Sequence, residues 1–412
     1  MSSNKYYEIT SCEVCGNDTL ESVLNLGLHP MCDDLVSIGD NRFCNEYPIE
    51  ILFCKKCNTA HQRFQVPKKD LFPPTYHYRS RFTVDVLDGM KDLAESCAKF
   101  STLNGKKVLD IGCNDGSLLD FFREQGAVTI GIEPTNACHD AEAKEHIIYK
   151  DYLSEELASK ILREQGSFDF IVFTNVFAHI TDLHEVIRSI KTLMSDSTVI
   201  IIENHFLGSV IEGVQFDTFY HEHLRTYSIT SFTHIASSLG AHLIRAEFPE
   251  RYGGNIRVFL SRSLNTKFLK IEHHNALMVR EGSFYNDFTL LKTKIVLWQK
   301  IMHDLLHKLF HKYGRLRAKA FPGRAAILVK LLDLDHDLIS GVYEKPGSLK
   351  IGHYLPGTRI PILSDEDLFK LDDQTLPILN FSWHIPNEIR VYLTKKNYSG
   401  QVIDIVSPDD FS

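Results

Sequence analysis

One stretch of twelve residues limits the fold of this chain more than any other: Val108-Leu109-Asp110-Ile111-Gly112-Cys113-Asn114-Asp115-Gly116-Ser117-Leu118-Leu119. An apolar strand runs into a glycine-rich turn and then into the start of a helix. A second apolar run, Val128-Thr129-Ile130-Gly131-Ile132, ends on Glu133. Glycine lets the turn bend tightly and lets a ligand come close to the main chain. An acid at the end of the second strand is placed to accept hydrogen bonds from both hydroxyls of a ribose. The spacing is Asp-x-Gly-x-x-x-Gly, not Gly-x-Gly-x-x-Gly, and Asp110 and Asp115 would repel a pyrophosphate. A ligand with a ribose and a cationic centre suits this turn, and S-adenosylmethionine (SAM) has both. Asp110, Gly112, Asn114, Asp115, Gly116 and Glu133 are the cofactor-binding candidates.

A length of 412 residues exceeds one ordinary core and calls for two or three domains. The net charge of −8 argues against a general nucleic-acid binder. No apolar run is long enough to span a membrane as a helix, so no membrane partner is expected. The first residues, Met1-Ser2-Ser3-Asn4-Lys5, lack the basic and apolar regions of a signal peptide. The expectation is a cytoplasmic enzyme, and in that compartment cysteines serve as thiols or metal ligands rather than disulfides.

Four of the nine cysteines form two close pairs, Cys12-x-x-Cys15 and Cys54-x-x-Cys57. Gly16 and Asn58, which follow them, tolerate the turn of a zinc knuckle. Two such pairs predict a closed tetrahedral Zn2+ site with a structural role, in preference to redox or free-thiol pairs. Cys32 and Cys44 lie between the pairs, outside any knuckle, and read as ordinary side chains.

Residues 66–82 read as a linker, with prolines interrupting regular structure and Tyr76, Tyr78, Arg79 and Arg81 clustered in it. Functional residues concentrate on loops, so this one is a candidate to lean over a site. From 83 to 262 helix and strand patterns alternate. A helix is expected at 83–100, and strands at 107–111, 129–132, 168–173 and 198–202. The sum is an α/β fold with a doubly wound parallel sheet. Segments 241–248 and 255–261 read as an antiparallel hairpin at its edge. Residues 283–320 predict a long helix or helical pair, with Leu291, Trp298, Ile301, Leu305 and Leu309 as its core-facing stripe. Segments at 325–332, 338–343, 378–381 and 402–406 then describe a smaller C-terminal, Rossmann-like α/β domain. The expected domains are 1–75 (zinc), 76–265 (SAM) and 266–412 (helical linker and substrate domain).

Ligands in open α/β sheets sit at the strand ends. The strand at 168–173 leads into Thr174-Asn175-Val176-Phe177-Ala178-His179, which makes Asn175 a cofactor candidate and His179 a site candidate. Glu203 ends the strand at 198–202 and reads equally as a structural acid. The densest cluster is Tyr220-His221-Glu222-His223. It lacks the His-Glu-x-x-His spacing of a helical metal site. A histidine titrates near neutral pH, and a neighbouring carboxylate orients the ring, so general acid/base work is the better reading. A methyl acceptor that is a carbon beside a carbonyl needs such a base to form its enolate.

Taken together, these residues resemble the three-domain, SAM-dependent C-methyltransferases that act on nucleotide-linked deoxysugars. The resemblance covers nearly the whole chain. It is carried by the cysteine pairs, Tyr76-x-Tyr78-x-Ser80, the glycine turn, Gly131-Ile132-Glu133-Pro134 and Asn175 through Ile180. Tyr220-His221-Glu222-His223, Tyr252-Gly253-Gly254-Asn255-Ile256-Arg257 and Leu355-Pro356-Gly357-Thr358 complete it. It implies structural zinc on Cys12, Cys15, Cys54 and Cys57, SAM in the middle domain, and a C-terminal domain that helps form the nucleotide-sugar cleft. It implies that His223 removes the proton beside a 4-keto group, with Glu222 and Tyr220 beside it. Tyr78, Tyr76 and His179 would line the sugar site. Where relatives carry a Tyr-Gly-Ala-type turn and a Lys-Gly, this chain has Phe321-Pro322-Gly323-Arg324 and Lys330-Leu331. That departure touches the substrate more than the chemistry, and leaves O- or N-methylation of a sugar or phosphorylated metabolite open. A non-catalytic SAM-fold binding protein is the alternative from another class. The sequence sets no oligomeric state.

Overall fold

The computed structural model describes residues 6–73, 78–263 and 271–411. The chain divides into two compact units. The first comprises Met1–Ser22, Leu52–Glu212 and Glu222–Tyr285; the second comprises Val23–Ile51, Gly213–His221 and Asn286–Ser412. The N-terminal 75 residues thus contribute to both.

The first unit is built on a seven-stranded sheet. Its strands are β1 (Lys107–Ile111), β2 (Val128–Ile132), β3 (Ile147–Tyr149), β4 (Phe168–Thr174), β5 (Met194–His205), β6 (His242–Glu247) and β7 (Asn255–Ser261). The spatial order is β6-β7-β5-β4-β1-β2-β3. β1 to β5 run parallel, and β7 is antiparallel to both β5 and β6, as the edge hairpin predicts. Such a sheet is buried on both faces, which is why its strands read as continuous apolar runs. On one face Val108, Val172, Ile201 and Phe259 pack with Leu93, Ala94 and Cys97 of the helix Val84–Ala98 and with Leu118 and Phe122 of the helix Ser117–Glu124. The helix Leu183–Leu193 is capped by Asp182, whose carboxylate accepts from the Glu185 N–H at 2.8 Å.

The second unit carries a five-stranded parallel sheet. Its strands are β8 (Leu316–Lys319), β9 (Ile339–Glu344), β10 (Ile362–Ser364), β11 (Ile378–Asn380) and β12 (Val402–Asp404), in the order β10-β9-β8-β11-β12. This is the Rossmann-like domain expected from the sequence, with two corrections. The long helix spans Phe284–Tyr313, and the residues after it form the central strand β8. Gly314, at φ 74°, makes the break, since a left-handed residue ends a helix. The core stripe is Leu291, Ile295, Trp298, Met302 and Leu306, while Ile301 is 39% exposed. The expected stripe shared Leu291 and Trp298 but then slipped one residue; the observed spacing of 4-3-4-4 keeps the side chains on one helical face. Trp298 donates its indole N–H to the Ile405 carbonyl at 2.9 Å and packs on Phe216.

Candidate active site

The turn after β1 has the backbone that its glycines predict: Gly112, Asn114 and Gly116 sit at φ 74°, 50° and 75°. A Cβ on Gly112 would lie 2.6 Å from Val176, so the glycine is required by space as well as by φ. Glu133 is buried just past β2. One of its oxygens accepts from the Asn114 N–H at 3.0 Å; the other accepts from the Thr135 N–H at 2.8 Å and hydroxyl at 2.6 Å. A carboxylate has about four acceptor positions. One is left free, and the rotatable Thr135 hydroxyl can vacate a second for a ribose hydroxyl.

Asp110 is buried, and burial pushes its carboxyl well above the usual range. Glu133 adds to that push, and among the described residues no cation pairs with Asp110. A buried acid without a positive partner favours a cationic ligand, and the ribose and positive centre of SAM match this pair of acids. The Asp115 carboxylate is engaged within the chain. One oxygen accepts from the Ser117 N–H at 3.2 Å and hydroxyl at 2.6 Å, and the other from the Arg81 N–H at 3.0 Å. Asn114 is also occupied: its side chain accepts from the Ser80 N–H at 3.1 Å and donates to the Tyr78 carbonyl at 3.2 Å.

Asn175 follows β4 at φ 54°, and its N–H donates to the Glu203 carbonyl at 2.8 Å. Glu203 itself is a structural acid. Its buried carboxylate pairs with Arg257 at 2.7 Å, with Arg251, and with the Asn255 amide at 3.0 Å. Asn255 in turn donates to Asn175 at 3.3 Å. Asn255 and Arg257 of the Tyr252–Arg257 motif, with Arg251 just before it, therefore serve this network.

Three imidazoles meet beyond the ends of β4 and β5. The His223 ring lies 5.1 Å from His179 and 5.0 Å from His205, centroid to centroid. Phe72 stacks on His179 at 5.2 Å with an interplanar angle of 11°. Burial pulls His179 down to about 4, so it is neutral at physiological pH. The Leu224 N–H donates to the Ala178 carbonyl at 3.0 Å, which pins the loop bearing His179 to the loop bearing His223. Sequence reasoning assigned no role to His205 or Phe72; the end position of His205 on β5 was its available signal. Asn204 beside it is buried, and neither amide atom has a hydrogen-bond partner among the described residues.

The four-residue motif is split between the units: Tyr220 and His221 belong to the second, Glu222 and His223 to the first. His221 packs against Tyr47 and bonds its carbonyl at 3.1 Å through Nε2, and burial lowers it to about 4. Its role is in packing. Glu222 is buried and Tyr220 half-buried. Tyr78 is 42% exposed, and Tyr76 lies outside the described residues.

The Sγ atoms of Cys12, Cys15, Cys54 and Cys57 all lie within 4.8 Å of one another. Cys12 and Cys57 are 3.4 Å apart and Cys15 and Cys54 3.7 Å. Zn–S bonds of about 2.3 Å in a tetrahedron place sulfurs about 3.8 Å apart, so the donor set fits one zinc ion. Gly16 and Asn58 close the two knuckles at φ 72° and 52°, with N–H donated to the carbonyls of Cys12 and Cys54. Sequence reasoning missed two supports. His61 Nε2 lies 3.3 Å from Cys12 Sγ, and Glu13, inside the first knuckle, pairs with buried Arg225 at 2.6 Å. The strand Thr59–Gln62 pairs antiparallel with Arg225–Thr226, so the zinc module braces the segment that follows His223.

Family models match the chain in three consecutive blocks: "Putative zinc binding domain" over residues 12–72, "Methyltransferase domain" over 85–246, and "C-methyltransferase C-terminal domain" over 250–405. The chain is 24% identical over 405 residues to the C-methyltransferase NovU of Streptomyces niveus, covering 96% of this chain and 92% of that protein. It is 33% identical over 110 residues to a ubiquinone biosynthesis O-methyltransferase of Pasteurella multocida, covering 24% of this chain and 46% of that protein. Among solved structures, SAM-bound magnesium protoporphyrin IX methyltransferase (ChlM) from Synechocystis PCC 6803 matches with a TM-score of 0.34 and 15% identity, over 44% of this chain and 81% of that one. Among the described residues, no helix is long and apolar enough to cross a membrane.

Proposed function

We propose that this chain, which belongs to the three-domain SAM-dependent C-methyltransferases with a structural zinc module, methylates a carbon beside the ketone of a nucleotide-linked keto-deoxysugar. The observation that carries this reading is the imidazole cluster of His179, His205 and His223 at the strand ends. SAM supplies an electrophilic methyl group on a sulfonium. The residues of this chain do the rest. Glu133, Asp110, Gly112, Gly116 and Asn175 shape the cofactor turn, with Asn114 and Asp115 holding its form.

His223 takes the proton from the carbon beside the ketone, and the C–H electron pair moves onto the carbonyl oxygen as an enolate. That carbon then forms the new C–C bond while the S–CH3 pair returns to sulfur. Neutral His179 lines the pocket beside the ring without adding a competing positive charge. Glu222 and Tyr220 flank the base in the chain and support it, and the linker tyrosines Tyr78 and Tyr76 attend the sugar oxygens. A positioned base contributes roughly 10²–10⁴-fold to such a step. The enzyme is read as cytoplasmic, with the nucleotide-sugar as its partner and no nucleic acid or membrane.

The test is His223→Asn with a panel of nucleotide-linked 4-keto sugars. Turnover should fall by roughly 10²–10⁴-fold, deuterium exchange beside the ketone should stop, and SAM affinity should hold. Turnover unchanged in that variant would remove His223 as base. The similarity to O-methyltransferases supports a second reading, methyl transfer to an oxygen. An O-methyl product formed without exchange of the neighbouring hydrogen would select it.

A further inference from the structure

The segment Tyr78-Arg79-Ser80-Arg81 is bonded at three points to the cofactor turn and at two more to Asp140. Asn114 grips the backbone on both sides of Arg79: it accepts from the Ser80 N–H at 3.1 Å and donates to the Tyr78 carbonyl at 3.2 Å. Asp115 accepts from the Arg81 N–H at 3.0 Å. Asp140, on the helix Cys138–Glu142, takes Arg79 Nε at 2.8 Å and the Arg81 guanidinium at 3.0 Å. One carboxylate thus closes two arginine contacts from the same strap. The fastening is asymmetric in kind. Asn114 and Asp115 are part of the turn itself and hold the strap by backbone bonds, with the Arg81 guanidinium a further 3.7 Å from buried Asp115, whereas Asp140 is 34% exposed and holds it by the two closer charged contacts.

We propose that Asp140 and Asn114 are positioning residues that fasten this strap over the cofactor turn, so that SAM enters and leaves only when the strap lifts. The inference rests on the reading of the turn as the SAM site, and it assigns no role to the acceptor or to His223. Three of the chain's features converge on it. The turn that shapes the cofactor site is the same turn that reads the strap. Asn114 uses its backbone N–H on Glu133 and its side chain on the strap, so the ribose acid and the strap share one residue. And Tyr78, which the function places toward the sugar, is held through its own carbonyl, so its location follows from Asn114. Burial nudges the Asp140 carboxyl upward, but the bonds from Arg81 and Arg79 outweigh it and hold it below its usual range, as a paired acid requires.

The experiment measures SAM dissociation by stopped flow in the absence of any acceptor, in the full-length zinc-loaded protein. Partly exposed ion pairs are individually weak, so Asp140→Asn should speed dissociation by roughly fivefold. In the unaltered protein, raising ionic strength should speed dissociation because screening weakens the Asp140 contacts. In Asp140→Asn that salt dependence should largely vanish, and Asp140→Glu should restore it. A change confined to stability would not move these readouts. Amide exchange at Ser80 and Arg81 in the cofactor-free protein should quicken in both Asp140→Asn and Asn114→Ala. Unchanged dissociation, salt response and exchange in Asp140→Asn would overturn the proposal. Slow SAM release with no methylation of any sugar would instead retain the strap and refute the substrate reading.

Discussion

The two larger sheets of this molecule solve the same local problem with opposite charge. In each, a glutamate at the end of the second strand or directly after it accepts an N–H from the turn after the first: Glu133 from Asn114 at 3.0 Å, and Glu344 from Phe321 at 2.5 Å. The acid is a brace for the turn before it is anything else. The first strands then differ. β1 carries Asp110, buried, with no cation paired to it among the described residues. β8 ends on Lys319, equally buried, which pairs with Asp365 at 2.9 Å and donates to the Tyr343 carbonyl at 3.0 Å. The turn after β1 uses three left-handed residues, whereas that after β8 uses Ala320 at φ 64° and then continues through Pro322 into a helix. One crevice keeps a buried acid whose ionised form a ligand of the opposite sign would favour. The other has neutralised its charge internally.

The largest effect that tests this contrast belongs to the neutralised crevice. Lys319→Met should cost about 3–5 kcal/mol of stability, because it removes the cation from buried Asp365 and leaves the carboxylate only the Tyr392 hydroxyl at 2.8 Å. Chemical denaturation would measure it, and SAM affinity in the folded protein should not change. A strong loss of SAM affinity would mean that the crevices are not independent in this respect. Next comes Gly112→Val, which puts a branched side chain against Val176 at a left-handed φ. SAM affinity should fall by roughly a hundredfold, about 3 kcal/mol, as read by calorimetry, with the second unit unaffected by the same change.

The smallest effect is a pH dependence. Burial, with Glu133 adding to it, raises the Asp110 carboxyl, so the cofactor-free protein holds a proton there over a wider range than a free aspartate would. A bound cation favours the ionised form. Affinity for SAM should therefore rise with pH through that raised value and level off above it, with proton release on binding. Cys113 faces the same two acids, and its thiol is pushed well up by burial, so it stays protonated and leaves the titration to Asp110. Asp110→Asn should flatten the profile and weaken binding by about fivefold, a value on the scale of one partly screened ionic contact. An unchanged profile in that variant would assign the titration elsewhere.

Much of the first crevice was legible because its signals are local. Glycines at required left-handed positions, Gly16 and Asn58 after the cysteine pairs, and Glu133 after an apolar run each constrain their own few residues. The edge hairpin was legible for the same reason. β8 was not: Leu316-Arg317-Ala318-Lys319 has good helix formers, and what makes it a strand is burial between β9 and β11, a tertiary fact. The helix stripe was misaligned because Ile301 and Leu305 are as apolar as Met302 and Leu306, and the sequence alone does not rank them. Asn114 and Asp115 were legible as residues of the turn but not as holders of the strap, because their partners are 34 residues away in the chain.

Glu203 has a consequence for how such a chain can change over generations. Its carboxylate is shared by Arg251, Asn255 and Arg257, so replacing the acid removes one acceptor from three donors at once, while replacing one donor leaves the acid with the other two. Steps away from Glu203 therefore loosen three contacts together. The four positions should therefore be inherited as a block, and a drifting lineage would find its new acceptors by altering loops and the second crevice while this knot stayed fixed.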